Sequence, residues 1–150
     1  MLIPFLVMTL GIGGLGSIFT SQSVETWFPL LTKPSWNPPS WVFGPVWTTL
    51  YILMAVAAWR VWLRGKFWGT PAVLFAANLL LNLAWSLLFF GLRQPGTAFA
   101  EILVLLVSIL AMTVSFGKID RVAAWLLGPY LAWVSFASVL NYSIWILNRS

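Results

Sequence analysis

The chain of 150 residues contains no cysteine and no histidine, and only three acidic side chains, Glu25, Glu101 and Asp120. Each absence removes a chemistry. Zinc sites, histidine-held haem, thiol catalysis and Ser/His or Cys/His nucleophile pairs all lose their donors. Glu25 and Asp120 fall in expected loops, so no pair of carboxylates stands ready for acid–base hydrolysis. Gly11 to Gly16 is no phosphate loop, because it lies in an apolar run with no lysine and no preceding strand. No cofactor and no metal site are expected.

Charge is also scarce. Only 7% of residues are charged while 61% are hydrophobic, and the mean hydropathy is +0.93. Such a chain cannot cover a water-soluble globule with polar surface. It reads as an all-α integral membrane protein. No charge lies in residues 1–24, 34–59, 67–92, 102–117 or 122–148, and a spanning helix needs about 20 mainly apolar residues. Five helices fit, near 2–21, 42–63, 70–91, 96–116 and 121–146, forming one transmembrane domain over 1–150. Three connections are short, around Gly65, Gln94 and Asp120, and one is long, about 22–41. Continuous apolar runs, without alternation of period two, argue against a β-barrel. The first run lacks the basic start of a signal peptide and is read as a retained span. Its Gly13/Ser17 and Gly11/Gly14 spacings suit close helix packing.

The net charge of +5 is explained by membrane topology, with no nucleic-acid partner. Arg60, Arg64, Lys66, Lys118 and Arg121 fall on the side of the N-terminus, and Lys33, Arg93 and Arg149 on the other. The excess predicts a cytoplasmic N-terminus in a bacterial-type membrane. Glu101 is the one acid inside a span, where a carboxylate is by default a functional candidate. Two readings stand: a proton carrier in a small-molecule exporter, or an interfacial group one turn past Gly96-Thr97, where a helix N-terminus favours negative charge.

Eleven tryptophans are present. Trp27, Trp36, Trp41, Trp62, Trp68 and Trp145 sit near expected helix ends, as a headgroup belt requires. Trp47, Trp85 and Trp133 lie deeper. Trp47 shares a helical face with Tyr51 and Met54, Trp85 with Asn78 and Asn82, and Trp133 with Ala137, Leu140 and Asn141. In lipid these amides must face protein or a cavity. The stripes serve either as interhelical glue or as the wall of a pocket for a flat, hydrophobic ligand. Pro129 is expected to kink the fifth helix near Gly128-Pro129-Tyr130. A long loop ending near Lys33 and Arg93 suits a lid.

Proline forbids helix over Pro34-Ser35-Trp36-Asn37-Pro38-Pro39 and permits it from about Pro45. The run Lys33 to Trp47, followed by Asn78 to Asn82, Phe89-Phe90-Gly91-Leu92-Arg93-Gln94, Pro129-Tyr130-Leu131-Ala132-Trp133 and Leu140-Asn141-Tyr142, closely resembles the translocator protein family. Its bacterial members are called tryptophan-rich sensory proteins, and its animal member was first known as the peripheral benzodiazepine receptor. The resemblance spans essentially the whole chain. It implies a five-helix bundle, often a homodimer, whose first long loop covers a cavity for porphyrins, benzodiazepine-type drugs and, in animals, cholesterol. Trp47, Asn82, Trp85, Trp133 and Ala137 would line that cavity, Tyr51 shares the face of Trp47, and Pro38 would close it. Phe28 stands where the family commonly has tyrosine, so only an apolar contact carries over. The sterol pattern departs: six residues separate Tyr142 from Arg149, so sterol is a weak partner here.

The expected function is binding of protoporphyrin-type tetrapyrroles, as a sensor, regulator or transporter. Porphyrin propionates would reach Lys33 or Arg93 while the ring lies against Trp47 and Trp133. One alternative is light-dependent oxidative degradation of porphyrin, with Trp47 and Trp133 as electron donors. Another is a proton-coupled exporter built on Glu101.

Overall fold

The computed structural model describes residues 2–26, 30, 31, 33–35, 43–92 and 94–148, with the backbone alone for 17–26 and Phe43. Five helices account for nearly all of them: α1 (Ile3–Thr26), α2 (Phe43–Leu63), α3 (Thr70–Ser86, continued by a π turn, Leu87–Gly91), α4 (Pro95–Gly117) and α5 (Arg121–Leu147). Among the described residues there is no strand. α1 runs five residues beyond its expected end, and the other bounds fall within one residue of expectation.

Proline marks the starts. Pro4, Pro45, Pro71 and Pro95 all lie in the first turn of their helices, where the missing N–H has no intrahelical partner to lose. Gly65 supplies a stop at φ 71° just after α2, a conformation that side chains disfavour. Asp120 opens α5, its side chain accepting the Val122 N–H at 2.9 Å.

The bundle is apolar outside as well as within. α4 buries Ala98, Ile102, Leu105, Ile109, Met112 and Phe116, and α5 meets it with Ala123, Leu127, Tyr130, Val134 and Ile144. This three-and-four spacing is the seam of a tightly packed helix pair. The same helices turn Val104, Val107, Leu110, Val114 and Val139 outward, whereas Asn78, Asn82 and Asn141 are buried. Apolar exteriors around a hydrogen-bonded interior are what a bilayer selects. α2, α3 with its π turn, α4 and α5 are each long and apolar enough to cross a membrane, and α1 contributes a shorter apolar stretch over Ile3–Gly16.

The irregular turn expected at Pro129 is absent, since α5 is helical throughout. Pro129 lies on the exposed face of α5, and although its missing N–H removes one intrahelical hydrogen bond, the helix continues past it to Leu147. The irregularity falls at the end of α3. There Leu92 N–H reaches the Leu87 carbonyl at 2.6 Å and Gln94 N–H the Leu88 carbonyl at 2.8 Å. These wide steps insert an extra residue into the turn, and both Phe89 and Phe90 become buried.

Candidate functional site

A buried polar chain ties four helices together. Tyr51 of α2 donates to Asn82 Oδ1 of α3 at 2.9 Å, and Asn82 Nδ2 donates to the Tyr130 hydroxyl of α5 at 2.8 Å. Tyr130 donates in turn to Asn78 Oδ1 at 2.9 Å, and Asn78 Nδ2 donates to Ser108 of α4 at 3.0 Å. A second lock lies nearer the π turn. Trp85 Nε1 donates to Asn141 Oδ1 at 2.9 Å, and Asn141 Nδ2 donates to the Pro95 carbonyl at 2.8 Å. Every amide of the stripes is thus engaged across a helix boundary, which satisfies groups that lipid could not.

The aromatic half of the stripes does something different. A cavity of about 330 Å³ opens between α1, α2, the end of α3 and α5, within the size range of small-molecule sites. Trp47 and Tyr51 form one wall, with ring centroids 5.8 Å apart. Trp85 lies 6.4 Å from Trp47 and stacks on Phe89 at 5.4 Å. Trp133 and Ala137 close the side of α5, and Gly13, Gly14 and Gly16 leave room along α1. No charged side chain is among the described wall residues. Ser86 adds a buried hydroxyl to the wall.

Of the residues singled out in the sequence, Trp47, Tyr51, Trp85, Trp133 and Ala137 converge on this one cavity. Asn82 stands one layer behind, 1% exposed, and reaches the wall only through Tyr51. Pro38, Phe28, Arg93 and much of the expected loop lid lie outside the described residues. Lys33 donates to the Leu31 carbonyl at 3.2 Å. Glu101 contributes nothing to the wall, and neither does any other residue of α4. Its carboxylate oxygens are buried without a hydrogen-bond partner among the described residues.

Sequence reasoning passed over Gly13, Ser86, Phe89 and Phe90 as site residues. Phe89 carried a signal, four residues from Trp85 on one helical face. Phe90 carried none, because only the π turn brings it in. Gly13 was legible as a small residue for close packing, and its neighbour is the Tyr51 ring: a Cβ there would stand 2.6 Å from Tyr51 Cε2.

A bundle that is apolar outside, hydrogen-bonded within and hollowed beside its tryptophans is a multi-pass integral membrane protein with an aromatic cavity between its helices. Comparison with known proteins refines the class. Residues 5–146 match the TspO/MBR family, and the chain belongs to it. It is 42% identical over 145 residues to the tryptophan-rich protein TspO of Chlorobaculum tepidum, covering 94% of this chain and 91% of that one. It is 42% identical over 138 residues to the translocator protein of Homo sapiens, covering 89% and 82%. The tryptophan-rich sensory protein of Cereibacter sphaeroides is 40% identical over 125 residues, covering 83% and 78%.

Proposed function

We propose that this chain binds protoporphyrin-type tetrapyrroles and other flat hydrophobic ligands within the membrane, as a sensor, regulator or transporter of tetrapyrrole intermediates. The observation that carries the reading is the convergence of Trp47, Trp85 and Trp133 on one cavity with no charged side chain among its described wall residues. Indole faces stack on planar π-systems, and described wall residues without charge favour a neutral ring over an ion. The Ser86 hydroxyl offers one polar contact to fix orientation. Two relatives carry the words sensory and translocator in their names, which is compatible with signalling or movement of such a ligand.

The presence of both Trp47 and Trp133 in the wall also supports a second reading, light-driven oxidative degradation with those indoles as electron donors. The exporter built on Glu101 draws no support from the cavity. The cation excess at the end of the bundle that carries Arg60 and Lys118 supports a cytoplasmic N-terminus.

The test is quenching of tryptophan fluorescence by protoporphyrin in nanodiscs, in the dark and under light. Saturable dark binding that Trp47→Phe or Trp133→Phe weakens, with the pigment intact under light, supports the binding protein. Light-dependent pigment loss that both substitutions abolish moves the function to degradation, and the absence of saturable binding overturns the tetrapyrrole reading.

A further inference from the structure

On the far side of α3 from the aromatic cavity, a second hollow runs between α3 and α4, with a volume of about 720 Å³. The two cavities share no residue. Leu74, Val107, Leu110, Ala111 and Val114 make this groove apolar along its length. One end is polar: Thr70, Ser115 and Lys118 meet there. From Val107 to Lys118 the α4 backbone rises about 16 Å, close to half of a hydrocarbon core about 30 Å thick. The groove is therefore one leaflet deep, with its cation at headgroup level.

The charge at this end is lopsided. Arg60 and Arg64 both reach Asp120, at 2.9 and 3.8 Å. Lys66, Lys118 and Arg121 form no ion pair with any described residue, and all three are exposed. Asp120, already shared by two arginines, is the only carboxylate in this stretch of loops. Lys118 is held in place by following the last turn of α4, where the negative end of the helix favours a cation. Thr70 opens α3, whose first turn has no side-chain cap, so the positive end of that helix faces the same region.

We propose that the α3–α4 groove is a binding site for an anionic glycerophospholipid, one acyl chain lying along Leu74, Val107 and Ala111 and the phosphate meeting Lys118 and Thr70. A zwitterionic lipid fills the groove equally well with its chain but brings its own cation to the phosphate, so Lys118 sets the preference. The site is independent of the tetrapyrrole reading, because it uses neither its residues nor its cavity.

The test uses the full chain in phosphatidylcholine vesicles carrying traces of spin-labelled phosphatidylglycerol or phosphatidylcholine with identical chains, and reads the immobilised fraction of each. The expected result is an association constant about fivefold higher for phosphatidylglycerol, the effect of one basic residue near an anionic surface. Lys118→Gln brings the ratio close to one and Lys118→Arg retains it. Ala111→Trp, outward-facing and charge-neutral, removes the preferred lipid while helicity is unchanged.

Absence of a phosphatidylglycerol preference overturns the proposal. So does an equal loss in Lys66→Gln, which would assign the effect to the general surface field. If Ala111→Trp leaves lipid binding intact and changes the monomer–dimer ratio, the groove belongs to a second copy of the chain and the lipid site is refuted.

Discussion

Tyr51 presents its ring to the aromatic cavity while its hydroxyl donates to Asn82 Oδ1 at 2.9 Å. One side chain therefore belongs to both the cavity wall and the polar chain behind it. The Tyr51 ring is held at the wall by a hydrogen bond to an amide behind it, and the two functions separate by substitution.

Tyr51→Phe keeps the ring and removes the donor. Hydrogen bonds between helices in membranes contribute about 0.6 kcal/mol on average and at most about 1.7 kcal/mol, so a loss of about 1 kcal/mol is expected. Asn82→Leu is more damaging, because it removes two interhelical bonds at once and leaves the Tyr51 hydroxyl without an acceptor, while Tyr130 keeps only its bond to Asn78, and a buried unsatisfied group costs about 1–3 kcal/mol. Unfolding by graded denaturing detergent gives the order. A Tyr51→Phe protein less stable than Asn82→Leu would show that the chain is not held through the amide.

The tryptophans should divide in the same way. Trp47→Ala removes stacking surface, and a porphyrin loses roughly 2–4 kcal/mol, or about 30- to 1000-fold in affinity, if the residue behaves as an aromatic anchor. Trp85→Phe keeps a ring but breaks the bond to Asn141, whose amide holds the Pro95 carbonyl at the start of α4. Its main loss should be thermal stability, with affinity falling less than in Trp47→Ala. Paired titration and melting curves for the two variants check this, and equal affinity losses would refute the division.

Much of this was visible in the sequence, and the boundary is physical. Helix positions followed from charge-free runs and from prolines in first turns, both local properties. The aromatic-plus-amide faces followed from helical spacing, which places Trp85 and Asn82 on one side of α3 but cannot say that one meets the cavity and the other lies behind Tyr51. That distinction depends on how α2 and α5 rotate against α3. The π turn was illegible because Leu87 to Gly91 resembles any apolar helix, and α5 continues through Pro129 with one backbone hydrogen bond fewer, an outcome that local propensity does not give. The binding roles of Phe28 and Pro38 rested on family resemblance alone.

Gly13 offers a test of how tightly α1 confines the cavity. An added methyl would lie 2.6 Å from Tyr51 Cε2 and 2.7 Å from Cδ2, and the ring cannot withdraw without leaving Asn82. Gly13→Ala is expected to cost about 1–3 kcal/mol, as overpacked cores do, and to weaken ligand binding as the ring is pushed into the cavity. Gly11→Ala is the control. Its methyl meets nothing within 4 Å, and replacing a helix-interior glycine gains about 0.5–1 kcal/mol. If both variants melt alike, the Tyr51 contact does not constrain α1.

The last prediction concerns acid. Asp120 is buried, which raises its pKa. The hydrogen bond from Arg60, the Val122 N–H, the charge of Arg60 and the Ala123 N–H together outweigh that and hold the carboxyl below the ordinary value. A pKa lower in the folded state than in the unfolded chain gives stability that is fully present above the unfolded value, about 3.9, and disappears as pH falls through the folded one. Asp120→Asn preserves a side-chain oxygen for capping α5 and removes the charge. At pH 7 the parent should therefore unfold at higher denaturant than Asp120→Asn, and the gap should close as pH falls below about 4. Differencing the two proteins cancels the titration of Glu25 and Glu101, which they share. A gap that stayed constant down to pH 2 would mean that the Arg60–Asp120 pair contributes through geometry alone, with its charge irrelevant to how α2 is tied to the start of α5.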